Sequence, residues 1–257
     1  MVSLFSFVSV FLFGAVIGSF LNVIILRLNT GQSIIFGQSK CFSCAKKLRW
    51  YELLPIASFV FLKGKCASCK TKISWQYPVI ETTTGLLFLL ISNIKSQISN
   101  LDVIYYWIIF SLLIIIAAYD YRHQIIPNLV VWIFNGLAFL SLFFVLGGRF
   151  ENFDLNGFLA GFILFAFFAS LWAISRGRWM GFGDAKLALG IGWFLGLPKG
   201  AAAVTLAFWI GAIVGLLLLY FGKKRYNMKS AVAFGPFMIL GAAVSFFLGE
   251  KIISFLL

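Results

Sequence analysis

Residues 181–221 read GFGDAKLALGIGWFLGLPKGAAAVTLAFWIGAIVGLLLLYF, and only Asp184, Lys186 and Lys199 in this stretch carry charge. A hydrocarbon core about 30 Å thick is crossed by about 20 helical residues. The stretch is therefore too long for one upright crossing and too apolar for the core of a soluble domain. Read as two spans, 183–198 and 199–221, it breaks where Gly190, Gly192 and Gly196 weaken the first helix. Read as one, it is a single tilted helix. Either way Asp184 stands at the mouth of a membrane helix, where a carboxylate is expensive and commonly functional.

The rest of the chain repeats this pattern. With 61% hydrophobic and 11% charged residues over 257 positions, the composition excludes an ordinary soluble domain and indicates an all-α polytopic membrane protein. Further apolar runs predict spans near 4–26, 77–95, 102–120, 127–147, 156–175 and 232–256, which makes eight helices when 183–221 counts as two. Lys and Arg arbitrate, because they collect in cytoplasmic loops. With eight spans and the N-terminus outside, Arg27, the basic residues from Lys40 to Lys72, Arg122, Arg176, Arg178, Lys186 and the cluster Lys223, Lys224, Arg225 and Lys229 fall inside. Only Lys95, Arg149, Lys199 and Lys251 fall outside. A fused span would put the Lys223 to Lys229 cluster on the wrong side. The net charge of +13 thus reads as orientation in a bilayer with anionic lipid contact, in preference to nucleic-acid binding. The first run has no positive n-region and its nearest charge, Arg27, follows it, so it reads as an uncleaved helix. Its Gly14-x-x-x-Gly18 spacing offers a close-packing face, but such spacings are common by chance and carry little weight.

Between the first two spans lie about 50 residues, the one segment polar enough for a separate extramembrane fold, and they hold all four cysteines. The order Cys41-x2-Cys44-x21-Cys66-x2-Cys69 is close to the double-knuckle spacing of a tetrahedral zinc site. The halves also repeat: Lys40-Cys41-Phe42-Ser43-Cys44 with Lys47-Leu48 and Trp50 matches Lys65-Cys66-Ala67-Ser68-Cys69 with Lys72-Ile73 and Trp75. Two disulfides are the alternative in an oxidising compartment. Eight Lys and Arg place the loop in the cytoplasm, where thiols stay reduced, and favour zinc. A closed four-Cys shell leaves no position for water, so the metal reads as structural, and the loop is expected to need it to fold.

Asp120 ends the run Ala117-Ala118-Tyr119-Asp120 as Asp184 opens its own. Among the eight acids only these two, with Glu81, stand at ends of apolar runs on the Lys/Arg-rich side. Two spans separate them, and two crossings return the chain to the side it left; the same parity puts the cysteine loop there. Two carboxylates within a few ångströms share a proton and titrate as a unit. The ionised partner can take a proton from water while the protonated one polarises a scissile carbonyl, which is acid/base peptide hydrolysis. Gly181 and Gly183 would let backbone approach a substrate strand beside Asp184, and Pro127 suits the start of the next helix, with Asn128 in its first turn. The plainer reading is that each Asp caps a helix or pairs with a nearby cation, Asp184 with Lys186 and Asp120 with Arg122. A coincident pair on one face, one member inside Gly-x-Gly-Asp, favours catalysis. The single histidine, His123, leaves one place for a Ser-His-Asp triad and reads as a turn residue.

Taken in order, these pieces resemble the type IV prepilin peptidases, membrane aspartic proteases of pilus, secretion and competence systems. The resemblance runs over nearly all 257 residues and rests on Gly18-Ser19-Phe20-Leu21-Asn22-Val23 with Arg27, the two knuckles, Tyr77-Pro78-Val79-Ile80-Glu81, Asp120 with Ile126-Pro127-Asn128, Gly181-Phe182-Gly183-Asp184-Ala185-Lys186, and Phe234-Gly235-Pro236-Phe237. It implies removal of the leader of prepilins and pseudopilins, just after a Gly, on the cytoplasmic face of a bacterial inner membrane. Asp120 and Asp184 are then the catalytic pair, with Gly181, Gly183, Lys186, Pro127 and Asn128 in support, and Cys41, Cys44, Cys66 and Cys69 hold a structural zinc. The resemblance also implies S-adenosylmethionine-dependent N-methylation of the new N-terminus. No glycine fingerprint of a nucleotide-binding fold marks a methyl-donor site, whose residues stay unassigned. The implied organisation is a first transmembrane helix (1–26), a cytoplasmic four-Cys zinc loop domain tied to methylation (27–76) and a transmembrane aspartic peptidase domain (77–257). Phe42, Leu28-Asn29 and Leu53 depart from the family pattern, all outside the Asp sites.

Substrate pilins and the lipid bilayer are the expected partners, with no nucleic acid; the sequence does not fix the oligomeric state. Two other classes compete: a transporter using both Asp as ion sites, and an assembly scaffold docking partners through the zinc loop. The inverted repeat common in such transporters is not found between the halves.

Overall fold

The computed structural model describes residues 4–94, 99–145, 149–150, 154–221 and 232–256. The chain folds into α1 (Leu4–Arg27), α2 (Ala57–Phe61), α3 (Gln76–Ile94), α4 (Asn100–His123), α5 (Asn128–Leu140), α6 (Leu155–Ser175), α7 (Phe182–Phe221) and α8 (Gly235–Leu256). A 3-10 turn at Trp50–Leu53 and a two-residue antiparallel pair, β1 (Phe144–Val145) on β2 (Arg149–Phe150), complete the elements. Two units result, Met1–Ile115 and Ile116–Leu257, with the boundary inside α4. Among the described residues, α1, α4, α6 and α7 are long and apolar enough to cross a membrane, and α5 and α8 are shorter apolar helices. Large apolar side chains such as Leu12, Val16, Ile163, Trp209 and Leu216 stand half-exposed or more along their outer faces, the surface that lipid covers.

In the first unit, α1 lies antiparallel against α3 at small residues. A Cβ on Gly14 would stand 2.8 Å from the Gly85 Cα, and one on Gly18 2.7 Å from the Glu81 Cα. The Gly14-x-x-x-Gly18 face, given little weight from sequence, is a helix crossing at backbone contact, the way membrane helices gain packing without a hydrophobic drive. The first half of α4 joins through Trp107, whose indole stacks on Phe88 at 4.7 Å and donates to the Phe88 carbonyl (3.2 Å). Gly18→Ala is expected to destabilise this unit by about 1–3 kcal/mol through overpacking. Gly136→Ala, where an added Cβ meets nothing within 4 Å, is the neutral control. Unfolding of both variants in detergent, followed by tryptophan fluorescence, checks it.

In the second unit α7 packs against α5, α6 and α8, and it is not one rod. Gly196 has φ 73 and ψ 176, a conformation open to glycine and strained for other residues. A Cβ on Gly200 would lie 3.8 Å from the Gly192 Cα, whereas eight positions along a straight helix span about 12 Å. The chain therefore doubles back at Gly196 into arms 182–195 and 197–221, with Pro198 opening the second arm, where its missing N–H is harmless. The Ser245 hydroxyl of α8 donates to the Lys199 carbonyl (2.6 Å), tying α8 to the start of the second arm. The fourth predicted span is corrected: α5 stops at Leu140, not at 147, because the chain turns at Ser141 and runs extended through Phe144 and Val145 to pair with Arg149 and Phe150. The last helix starts at Gly235, not 232, with Pro236 in its first turn. Lys95, Lys223, Lys224, Arg225 and Lys229, which argued for eight spans, lie outside the described residues.

Candidate active site and metal centre

Asp120 sits in the last turn of α4 and Asp184 in the first turn of α7, both buried at 4% and 7% exposure. Each is held through Oδ2 by one backbone amide. The Gly235 N–H at the start of α8 donates to Asp120 (3.1 Å), and the Gly181 N–H donates to Asp184 (3.2 Å). Two helix N-termini are thus turned toward two carboxylates, the end of the helix dipole that favours negative charge. Ile126, in the turn between α4 and α5, wedges between their supports: a Cβ on Gly183 would meet its Cβ at 2.9 Å, and one on Gly235 its Cδ1 at 3.5 Å. The room that Gly183 leaves is filled by Ile126, so the close approach expected for a substrate strand is made here by the protein itself.

Lys186 does not reach Asp184 as a cation partner; its ammonium donates to Asn128 Oδ1 (2.8 Å). Two helical turns further along α5, the buried Asn135 donates to the Lys186 carbonyl (3.0 Å). These two bonds clamp α5 onto the first turn of α7 and fix Asp184 in place. Pro127 stands at the N-cap of α5, and its carbonyl accepts from the Val131 N–H (3.1 Å), as expected of a helix start. His123 ends α4 with its ring 4.4 Å from that of Tyr119. The sequence missed Asn135, and it quoted Ile126 and Gly235 in their motifs without reading what they do; a Gly-Pro pair opening an apolar helix was the available signal for the last. Gly235→Ala is expected to lower activity at this site about 10²-fold, the loss that a displacement near 1 Å produces, because its Cβ would fall 2.6 Å from Asp120 Oδ2. Comparing its activity with that of Gly215→Ala, which meets open space, tests this.

The four cysteines converge, all Sγ atoms lying within 4.8 Å of one another and none in a disulfide. The knuckles are built alike. The Cys41 N–H donates to Lys46 and the Cys66 N–H to Thr71 (both 2.9 Å), while the carbonyls of Cys41 and Cys66 accept from Ala45 and Lys70. The bridges Lys40↔Lys47 and Lys65↔Lys72 close the two turns. Cys41 and Cys69 Sγ stand 3.8 Å apart, and a tetrahedron with metal–sulfur bonds of about 2.3 Å has edges of about 3.8 Å. Hydrogen bonds prepare two ligands as thiolates: the Cys44 and Ser43 amides hold Cys41 below the usual thiol range, and Thr71 lowers Cys69 to about 6. Cys44 receives the Lys46 amide, yet desolvation and the hydrogen bonds it shares with the Cys69, Cys41 and Cys66 thiols carry it up to about 11. Four thiolates cannot gather without a cation, so the donor set fits a closed metal site. Glu52, unnoticed in the sequence, braces the first knuckle by accepting from the Arg49 N–H (2.7 Å) and pairing with Lys46 (3.0 Å).

Two family descriptions match the chain, the Bacterial Peptidase A24 N-terminal domain over residues 12–94 and the Type IV leader peptidase family over residues 107–216. A protein of Bacillus subtilis (strain 168) named prepilin leader peptidase/N-methyltransferase is 36% identical over 246 residues, 95% of each chain. The chain belongs to the type IV leader peptidase family. Proteins of the same name from Myxococcus xanthus (strain DK1622) and Klebsiella pneumoniae are 33% and 31% identical, over 82% and 72% of this chain and 63% and 83% of their own lengths. No solved structure matches. Within the leader peptidase match fall both aspartates, Ile126, Asn128 and Lys186; Gly235 lies beyond it and joins the site through the fold.

Proposed function

We propose that this member of the type IV leader peptidase family removes the leader of prepilin-like substrates in a bacterial inner membrane, with Asp120 and Asp184 as its catalytic dyad. The observation that carries this reading is the pair itself: two buried carboxylates, each fixed through one oxygen by a backbone amide, with the supporting Gly183 and Gly235 both facing Ile126. With Oδ2 held on both, Oδ1 serves water and substrate. One carboxyl is ionised and the other protonated, because a close pair shares one proton. The carboxylate takes a proton from water as the water oxygen bonds to the scissile carbonyl carbon. The protonated partner hydrogen-bonds the carbonyl oxygen and stabilises its developing charge. Collapse breaks the C–N bond, and the proton taken from water passes to the departing amine. Gly181, Gly183, Pro127, Asn128 and Lys186 position the two helix ends. A pilin's scissile bond adjoins its apolar helix, so that helix enters laterally from lipid while the leader stays in water.

The chain crosses the bilayer eight times, counting the two arms of α7 separately, with the dyad and cysteine module on the cytoplasmic side. The reversal at Gly196 and the charge distribution support this count and orientation. Zinc is the metal of the four-thiol site, since a closed tetrahedral thiolate shell is its commonest structural setting. The name shared by the relatives extends to N-methylation, and S-adenosylmethionine would supply the methyl group to the new N-terminus. The cavity beside Asp154, Asn156, Gly157 and Pro198 adjoins the N-terminus of α6, the end away from the connection to Asp184. Its residues do not fit a donor serving that face.

Incubation of purified protein in vesicles with a prepilin peptide separates this reading from a transporter or a scaffold. Release of leader without an ion gradient or partner protein is expected; intact substrate after prolonged incubation would sink it.

A further inference from the structure

The cysteine module is not polar throughout. Residues 53–62 read LLPIASFVFL, a ten-residue run in which Ser58 alone has a polar side chain. Such a run is too short to span a bilayer and suits an interfacial or re-entrant segment. The knuckles flank this run without covering it: Leu53 and Leu54 are over two-fifths exposed, and Val60 and Phe61 stand at 65% and 82%.

Its depth follows from three contacts inside the first unit. Ile56 holds φ 60 and ψ −51, a strained conformation for a β-branched residue, and its N–H donates to Glu81 Oε2 at 2.7 Å. Glu81, 6% exposed, also accepts from the Ser19 hydroxyl of α1. Its Cα lies against Gly18, nine positions before Arg27, or about 13 Å along α1. The fully buried Asn22 donates to the Tyr77 carbonyl (3.3 Å) and accepts from Gln76 (3.4 Å), so α3 begins level with a residue five positions inside α1. The Pro55–Ile56 turn therefore lies well below the Arg27 end of α1, beside apolar helix.

We propose that residues 53–62 form a re-entrant segment lying in the bilayer interface, anchored by Glu81, with lipid covering its exposed apolar face. Lys63 and Lys65 follow the run directly, suiting anionic headgroups. Trp50 and Trp75, 77% and 72% exposed, bracket it as interfacial anchors. Phe59 packs on Trp75 (4.9 Å), tying α2 to the start of α3. Glu81, an acid at membrane depth that the peptidase steps leave unused, thereby gains a function.

The test places photoreactive p-benzoylphenylalanine at Leu54 or Phe61 of the full chain in phosphatidylethanolamine–phosphatidylglycerol vesicles, with readout by mass spectrometry. Leu90, half-exposed on α3, is the lipid-facing control, and Lys47 the aqueous one. Lipid adducts at Leu54 and Phe61 in the yield of Leu90, with none at Lys47, are expected. Adducts to another part of the chain, to a second copy or to a co-purified protein, or no adduct while Leu90 reacts, overturn the proposal. Glu81→Gln keeps an acceptor for Ile56 and is expected to retain the Leu54 adduct; Glu81→Leu loses it. Retention in Glu81→Leu overturns the anchor, and the unsubstituted measurement stands if that variant does not fold. Neither arm depends on peptidase activity.

Discussion

Asp120→Asn and Asp184→Asn each lower leader release by roughly 10²–10⁴-fold, the contribution of a positioned acid or base, while insertion into the membrane is unchanged. The amide is nearly isosteric and still accepts from the Gly235 or Gly181 N–H, so the helix ends stay where they are. It cannot take a proton from water or give one to a carbonyl. The double variant falls little further than either single one, because groups that act as a unit are not additive. For the unsubstituted enzyme, rate against pH is expected to fall on both sides of an optimum, the behaviour of a pair that must hold one proton between two sites. Initial rates of leader release in vesicles, normalised to protein content, measure all three variants. Near-normal cleavage by either single variant refutes the dyad.

Much of this arrangement was legible because membrane physics writes strongly into sequence. Apolar runs marked the helices, and crossing parity put Asp120 and Asp184 on one face without knowledge of packing. The duplicated Cys-x2-Cys segments read through directly into two knuckles with matching hydrogen bonds. What escaped was packing between elements distant in the chain. Gly235 reaches Asp120 across 115 positions, and Asn135 reaches Lys186 across 51; neither has a local pattern. Gly14 and Gly18 looked like chance spacing because the test of a small residue is what lies opposite it, here Gly85 and Glu81. The end of α5 was overrun because hydropathy stays high through Phe143, Phe144 and Val145, where the backbone has already left the helix. The loop was judged polar on its lysines, and the apolar run at 53–62 went unremarked between them.

Removing the metal is expected to take down the cysteine module and leave the aspartate pair standing. Freshly purified, reduced protein should carry about one zinc per chain, and Cys41→Ser with Cys66→Ser should abolish binding, since one ligand is lost from each knuckle and the shell needs four. The two knuckles bury little apolar surface, Cys66 being the one buried apolar residue among 33–75. Binding energy of about 10–16 kcal/mol, typical of a structural zinc in small peptides, is therefore large beside anything else holding them. Chelation should open residues 33–52 and 62–75 to protease. Residues 116–221 contain none of the ligands and should resist as before, with leader cleavage reduced far less than by Asp120→Asn. Acidification should act in the same direction as chelation, because thiol protonation competes with metal: Cys69, at about 6 through its Thr71 contacts, keeps its thiolate longest as pH falls, and Cys44, at about 11, depends most on the cation. Elemental analysis showing no zinc, or protease resistance unchanged after chelation, excludes a metal-dependent module. A module that opens while cleavage also stops would instead show that the peptidase needs the knuckles intact.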